Sequence, residues 1–351
     1  MDDIQYGDVL RPKGQMFLHW GGGAFAVVFR CRESSGCQVA LRCLLCHPSS
    51  DAGERAIALA AFRQAHLREV PFLVRSQYIP DAIKVQGEWY PVFIMEWVEG
   101  RTLGSHVAEL AKQRDQQALW ALAARWQELV TGLEDLQIAH GDLNHGNVMI
   151  TDHGELRLVD YDTIFVPDLV HRKATAIGTP GYVHPSHFLA GIRPYDAHMD
   201  TFGAMVILLS LEALAHDPSL YGRFSQDNLL LSNQDLEEPD SSVAFNRLKS
   251  IHEGDIPALV QQLQGACRQK QEPALDFPRT VPLGAAIPPR RPFIPAAPEY
   301  EPGAVISRTP SGGSAAADYQ PGSAIQKKSG GDSNVPGSPE EYAPGGAIPR
   351  S

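Results

Sequence analysis

One stretch of the chain, from His140 to Asp162, limits the possible folds more than any other. It reads HGDLNHGNVMITDHGELRLVDYD. Asp142 and Asn147 lie in a polar turn, and an apolar run leads on to Asp160, which predicts a loop followed by a β-hairpin. Carboxylate and amide oxygens are ligands of Mg²⁺, and a further carboxylate can accept a proton. Together these are the groups that phosphoryl transfer from ATP requires.

These segments resemble the catalytic and metal-binding segments of the protein kinase superfamily, HRDxxxxN and DFG. HGD stands where HRD is usual, and DYD stands where DFG is usual. The resemblance implies that Asp142 is the catalytic base and that Asn147 and Asp160 hold Mg²⁺. HGD with D-x-D is also similar to small-molecule phosphotransferases of the aminoglycoside and choline kinase type, in which the second acid helps to hold metal. By that resemblance Asp162 is a further metal ligand.

The segment WGGGAFAVVFR resembles the glycine-rich loop of protein kinases, G-x-G-x-[FY]-G-x-V. Ala26 replaces the third glycine of that pattern. Glycine lets the backbone approach phosphates without a Cβ clash. The residues that the resemblance assigns to nucleotide contact here are Gly21, Gly22, Gly23, Ala24, Phe25 and Val28.

VALR, which ends at Arg42, resembles the VAIK segment, and it implies that Ala40 and Arg42 contact nucleotide. The family has a lysine where this chain has Arg42, and the two are not equivalent at a tight phosphate site. Two interpretations follow, adapted activity or a nucleotide-binding pseudokinase, and the intact acidic residues favour the first. Glu54 is the candidate helix carboxylate that pairs with Arg42. Alternatively, Asp51 and Glu54 form a capping box at a helix start.

PVFIMEWVEG resembles the strand and hinge that bind adenine. By this resemblance Met95 is the gatekeeper, and backbone groups of Glu96 and Val98 meet the adenine edge. The alternative is a buried strand that ends in a turn at Gly100.

GTPGYVHP resembles the end of a kinase activation segment, which implies that Thr179 contacts the catalytic loop. Ser186 replaces the glutamate of the family, so the usual salt bridge to the large lobe is absent. Gly141 replaces the HRD arginine, which receives a loop phosphate in kinases, so loop phosphorylation is not expected to be the switch. The helix at Asp200 matches only loosely, and the structural role of this Asp stays unassigned.

The order of strand and helix patterns predicts an α+β, bilobal protein-kinase-like fold in residues 1–275. A small β-rich N-lobe is expected at about 1–97 and a larger helical C-lobe at about 101–275. Residues 276–351 are expected to form a disordered tail, because Pro and Gly make up about a third of the chain from Val281 onward.

The tail repeats a short pattern, as EYEPGAVI from Glu299, DYQPGSAI from Asp318 and EYAPGGAI from Glu341. Each unit is too short to bury a core of its own. Short anchors around Tyr300, Tyr319 and Tyr342 in a flexible chain favour docking of a protein partner at several points. A spacer that arose by duplication is the alternative.

The formal net charge of −11 argues against generic binding to nucleic acid or to an anionic membrane. The N-terminus lacks the pattern of a secretory signal, and the longest apolar stretch, Ala204 to Leu209, is too short to span a bilayer. A cytoplasmic protein is therefore expected. Cys43 and Cys46 form a CxxC, but in a strand they point to opposite faces, which argues against a metal site.

Taken together, these segments predict ATP- and Mg²⁺-dependent phosphorylation of Ser/Thr hydroxyls in protein substrates. A pseudokinase scaffold, a small-molecule phosphotransferase and a pure interaction protein remain as alternatives. The strings ALRC, MEWVEG, VDYD and DLEEPDSS resemble bacterial protein-kinase-like proteins, some of them encoded beside von Willebrand A-type proteins and metal-dependent phosphatases. This resemblance implies one of those two classes as a partner.

Overall fold

In a computed structural model of the chain, the described residues are 8–9, 20–22, 26–33, 36–44, 52–191 and 193–279. Several predictions concern residues outside these ranges. They are the nucleotide contacts of Gly23, Ala24 and Phe25, the cap at Asp51, the thiol of Cys46, and the tail with its repeats.

An antiparallel sheet, together with one helix, forms the N-terminal part of the described chain, up to Glu96. Its strands are β1 (Asp8–Val9), β2 (Trp20–Gly22), β3 (Ala26–Arg32), β4 (Gln38–Leu44), β5 (Ser76–Val85) and β6 (Glu88–Glu96). Along the sheet the order is β1-β3-β4-β6-β5, and β2 also pairs with β3. Successive side chains of β3 and β4 point to opposite faces of the sheet, and on one face Cys31 and Val39 are buried in a small apolar cluster with Val92 and Ile94. The same register places Arg42 opposite both Val28 and Phe93.

Helix α1 (Ala52–Ala65) packs against β5 and buries Arg55 and Leu59. The segment Phe72–Val74, which follows this helix, does not form a strand. It forms only one bridge there, from Leu73 to Leu158, and the strand starts at Ser76. Pro80 has no N–H to donate, and the ladder between β5 and β6 shifts register between Ile79 and Ile83.

The C-terminal half is mostly helical. Its helices are α2 (Leu103–Gln113), α3 (Gln116–Asp135), α4 (Pro185–Ala190), α5 (Thr201–His216), α6 (Asn233–Glu237), α7 (Val243–Leu248) and α8 (Ile256–Cys267). Every residue of α5 from Thr201 to Ala215 is buried, because this sequence is apolar on all sides. Helices α3 and α8 pack on it, so α5 is the centre of the larger core.

A second, three-stranded sheet carries the segment that was singled out from the sequence. Its strands are β7 (Gly100–Thr102), β8 (Val148–Thr151) and β9 (Leu156–Leu158), in the order β7-β8-β9. The loop-and-hairpin prediction for His140–Asp162 is confirmed, and so is the α+β bilobal architecture with its β-rich N-lobe and helical C-lobe.

The chain packs on α3 as far as its last described residue. Phe277 is buried in the large core, and Arg279 pairs with Glu134 and Asp135. The boundary at 275 stays a prediction. Of the helices that the structure describes, none has both the length and the apolar character to cross a bilayer.

Candidate active site

Asp142 lies in the loop between α3 and β8 and is half-buried. Its Oδ1 accepts hydrogen bonds from the N–H and the hydroxyl of Thr179, both at 2.8 Å. The side-chain amide of Asn147 donates to Asp142 Oδ2 at 3.2 Å and to the Asp142 carbonyl at 2.9 Å. The expected contact of Thr179 with the catalytic loop is therefore confirmed, and it holds one carboxylate oxygen of Asp142 in place.

His140 connects this loop to the strand that precedes Asp160. The N–H of Asp142 donates to His140 Nδ1 at 3.3 Å, so the ring proton lies on Nε2, which donates to the Val159 carbonyl at 2.7 Å. The side chain is fully buried. A neutral imidazole with this tautomer satisfies both contacts, and it fixes the loop relative to Asp160.

Asp200, whose role was left unassigned, binds the backbone of the same loop. Its carboxylate accepts from the N–H of His140 at 2.5 Å and from the N–H of Gly141 at 3.1 Å. At Gly141 the backbone is left-handed, with φ of +85°, and a Cβ there would lie 2.1 Å from the Thr163 carbonyl oxygen. Only glycine fits at this place in the loop.

Asp160 follows β9 in a left-handed conformation, with φ of +69°. A left-handed backbone is strained for a residue that is not glycine. Hydrogen bonds of the neighbouring Tyr161 hold this conformation in place. The Tyr161 hydroxyl donates to the Leu158 carbonyl at 2.5 Å and accepts from the Val74 N–H at 2.8 Å. Tyr161 therefore points into the core, which leaves Asp160 on the side of Arg42.

Arg42 binds the two acids of the DYD segment. Its Nη2 donates to Asp162 Oδ2 at 2.7 Å, its Nη1 donates to Asp162 Oδ1, and its Nη2 lies 3.2 Å from Asp160 Oδ1. Burial lowers the pKa of Arg42, but the hydrogen bonds to Asp162 and the charges of both acids outweigh burial, so the net direction is upward. Burial raises the pKa of Asp160, and the charge of Arg42 opposes this rise.

The expected pairing of Arg42 with Glu54 is wrong. Glu54 Oε1 lies 3.0 Å from His171 Nε2, and Glu54 Oε2 pairs with Arg172. Glu54 is the one carboxylate of α1, and it lies in the first turn of the helix, beside the segment that carries His171 and Arg172. Because no other acid of α1 is available, the guanidinium of Arg42 takes Asp162 instead.

Other predicted nucleotide contacts lie along the sheet and where it ends. Gly21 and Gly22 are in β2, where Gly21 pairs with Val28 of β3. Ala40 lies opposite Met95, which is buried, in the pairing of β4 with β6.

The chain then leaves the sheet. The N–H of Glu96 donates to the Arg75 carbonyl at 2.9 Å, and the N–H of Trp97 donates to the Gln38 carbonyl at 3.2 Å. Among the described residues, no hydrogen bond uses the N–H or C=O of Val98. A backbone donor and acceptor without partners, at the end of a buried strand, suit the polar edge of a purine.

The oxygen donors fit Mg²⁺ that is bound together with a phosphate chain. Asp160 Oδ1 is buried and makes no hydrogen bond within the described ranges, although Arg42 is near it. Both hydrogen bonds of the Asn147 side chain use its nitrogen, which leaves the amide oxygen for a cation. In the described part of the chain no three or more His, Cys, Asp or Glu side chains form a closed metal site. Mg²⁺ usually takes only one or two carboxylates and completes its shell with water and phosphate oxygens.

Two arginines of this region were not found from the sequence. Arg55 is 2% exposed; its Nη2 donates to the Lys173 carbonyl at 2.6 Å, and its guanidinium lies 4.7 Å from the ring centre of Tyr195. Arg193 is also buried and contacts the catalytic loop. A cation in the first turn of a helix opposes the helix dipole, so Arg55 was a detectable anomaly. Arg193 lies in a loop without any pattern that marks it.

Comparisons with known proteins agree with this geometry. A family model described as protein kinase domain matches residues 17–256. Serine/threonine-protein kinase PksC of Streptomyces coelicolor is 27% identical over 134 residues, which are 36% of this chain and 24% of that protein. CBL-interacting serine/threonine-protein kinase 19 of Arabidopsis thaliana is 27% identical over 224 residues, 60% of this chain and 43% of the relative. This chain thus spans less than half the length of either relative. Because the family model covers more than half of the chain, the chain belongs to the protein kinase domain family.

Proposed function

We propose that this chain is an ATP- and Mg²⁺-dependent protein serine/threonine kinase. The observation that carries the proposal is the connected set of hydrogen bonds around Asp142, which joins the catalytic loop, Thr179 and Asn147. Such a set holds a carboxylate at a fixed position while it stays accessible, as a general base requires.

Asp142 acts on the acceptor hydroxyl. Thr179 occupies Oδ1 with two hydrogen bonds, so Oδ2, which has only the longer bond to Asn147, is the oxygen that accepts the proton. The hydroxyl oxygen forms a bond to the γ-phosphorus as the bond to the β,γ-bridging oxygen breaks, and ADP leaves. A bound Mg²⁺ would neutralise charge on the phosphates. Asn147 and Asp160 are the ligands that we assign to it, with Asp162 as a further one.

Arg42 supplies the positive charge that faces the α- and β-phosphates. A guanidinium is always charged and makes two parallel hydrogen bonds to a carboxylate, so Asp162 orients it as a helix acid orients a lysine elsewhere in the family. Asp162 therefore has two assignments, as an anchor of Arg42 and as a metal ligand. The two are compatible, because each carboxylate oxygen has more than one lone pair.

Adenine binding is assigned to the backbone of Glu96 and Val98. Val28, Ala40 and Met95 are assigned as the apolar walls, and the glycine-rich segment from Gly21 to Phe25 is assigned to the phosphates. Support for the hinge comes from the backbone groups of Val98, which have no hydrogen-bond partner among the described residues and follow a buried strand.

A pseudokinase scaffold is the second candidate. The specific observation in its favour is that Arg42 pairs with Asp160 and Asp162, the two carboxylates that a metal ion would need as ligands. The repeats around Tyr300, Tyr319 and Tyr342 suit a scaffold as well as an enzyme. We propose that they dock a protein partner, with a metal-dependent phosphatase or a von Willebrand A-type protein as the class to test first.

The test is transfer from γ-labelled ATP to a mixed protein substrate and, separately, to aminoglycoside and choline acceptors. We expect labelled phosphoserine or phosphothreonine that requires Mg²⁺ and is lost in Asp160→Asn. Nucleotide binding without any transfer would support the pseudokinase. Label in the small acceptors alone would support the small-molecule phosphotransferase.

A further inference from the structure

Arg193 lies between α4 and α5, and its side chain is only 3% exposed. Its Nη1 donates to the Gly141 carbonyl at 2.5 Å and to the Ile177 carbonyl at 3.1 Å. Its Nη2 donates to the Met199 carbonyl and lies 3.6 Å from Asp200 Oδ1. A buried cation is costly unless it is paired and hydrogen-bonded, and here one carboxylate and three carbonyls contact the two terminal nitrogens, while Nε has no hydrogen-bond partner among the described residues.

Arg193 and Asp200 hold Gly141 from two sides. Asp200 accepts from the N–H groups of His140 and Gly141, and Arg193 donates to the carbonyl of Gly141. That carbonyl belongs to the peptide unit that leads into Asp142. The direction in which the Asp142 side chain leaves the loop therefore depends on this buried ion pair.

The same guanidinium also packs against the segment that carries Thr179. A Cβ on Gly178 would lie 3.1 Å from Arg193 Nη1 and 2.7 Å from Val183 Cγ2, so Gly178 leaves the space that the guanidinium needs. Thr179, the next residue, donates both hydrogen bonds to Asp142 Oδ1. Arg193 thus touches both pieces of backbone that hold Asp142.

A side chain at position 141 cannot supply this cation. The backbone there is left-handed, and the Thr163 carbonyl oxygen blocks a Cβ. The groups that Arg193 contacts are carbonyls and a carboxylate, which are present whether or not a hydroxyl of the segment is phosphorylated.

We propose that Arg193 is a positioning residue for phosphoryl transfer. It holds the catalytic loop and the backbone at Ile177–Thr179 in the arrangement that Asp142 needs, without a phosphate on that segment. The kinetic part of this inference rests on the proposed kinase activity, and the structural part does not.

The test compares Arg193→Gln and Arg193→Lys with Arg268→Gln. The control removes an arginine whose side chain is 49% exposed and pairs with Asp240 on the surface.

All proteins are treated with phosphatase, and intact mass confirms that they carry no phosphate. We expect wild type and Arg268→Gln to keep their full rate. Arg193→Gln is expected to lose about 100-fold in kcat, as displacement of a catalytic group does, while the KM for ATP changes less than about threefold. Arg193→Lys is expected to recover part of kcat, because an ammonium still donates to the carbonyls.

Hydrogen exchange of residues 139–147 and 175–184 gives a second readout that needs no activity. We expect faster exchange in both segments in Arg193→Gln and unchanged exchange in Arg268→Gln. Equal exchange and equal kcat in all variants would overturn the role of Arg193, and loss of the wild-type rate after phosphatase treatment would overturn independence from phosphate.

If Arg193→Gln fails to fold, hydrogen exchange and kcat are measured on Arg193→Lys instead. If wild type transfers no phosphate before treatment either, the kinase proposal fails, while hydrogen exchange still decides whether Arg193 holds the two segments.

Discussion

The buried carboxyl of Glu212 is expected to make the stability of the folded protein depend on pH. This residue lies within α5 and is fully buried, and a Cβ on Gly254 would lie 3.8 Å from its Oε2. Burial raises the pKa of Glu212 to about 7, the charge of Asp255 adds to the rise, and the backbone N–H of Asp255 opposes it. The ordinary value is 4.5. The perturbation to make is Glu212→Gln, which keeps the shape of the side chain and removes its charge.

Proton linkage gives the direction and the size of the change in the free energy of unfolding with pH. Because the pKa of Glu212 is higher in the folded state than in the unfolded state, the unfolded state loses the proton first as pH rises. The contribution of Glu212 to the free energy of unfolding therefore falls between about pH 4.5 and pH 7 and is level above that range. At 1.36 kcal/mol for each pH unit, the loss is about 3 kcal/mol. Glutamine has no such loss, so the variant and wild type are expected to be equally stable at low pH and to differ at pH 8.

Thermal unfolding followed by circular dichroism at pH 5 and pH 8 measures the difference. For a domain of this size the expected gain in Tm of Glu212→Gln at pH 8 is roughly 5–10 °C, and at pH 5 it is much smaller. Glu253→Gln is the matched control, because that side chain is 67% exposed beside His216. A gain of the same size at both pH values, or a variant less stable than wild type at pH 8, would refute the reasoning.

Three further outcomes are expected. Arg42→Lys should weaken nucleotide binding by less than about tenfold, or 1.4 kcal/mol. Titration calorimetry should show that Asp162→Asn weakens nucleotide binding less in the Arg42→Lys variant than in wild type. Equal losses of affinity in the two proteins would contradict the pairing of Arg42 with Asp162. Gly141→Ala should lower Tm more than Gly222→Ala does, because both glycines have positive φ but only the first Cβ meets a carbonyl; equal losses would count against the clash. A chain that ends at Arg279 should keep the Tm of the full chain, and a large drop in scanning calorimetry would show that the tail packs on the folded part.

Local patterns in the sequence predicted the centre of the site. Asp142, Asn147 and Asp160 lie in one loop and hairpin, so their spacing alone brings them together. The order of strand and helix patterns likewise predicted the two lobes.

Pairs that are distant in sequence were beyond those patterns. Arg42 and Asp162 are far apart along the chain, and the family pattern pointed to Glu54 instead. Asp200 matched its pattern poorly, although its carboxylate holds the loop. Arg193 lies in no recognisable motif, since three of its partners are backbone carbonyls, which any sequence supplies, and its fourth partner, Asp200, is itself poorly marked.

The central claim is that Asp142 is the base of a phosphoryl transfer. Its most direct test is the single-turnover rate of phosphate transfer from ATP to a protein hydroxyl, measured for wild type and Asp142→Asn alongside ADP binding. We expect the rate to fall by about 100-fold or more, as loss of a general base does, while the Kd for ADP changes little. An unchanged rate in Asp142→Asn, with normal ADP binding, would contradict the claim.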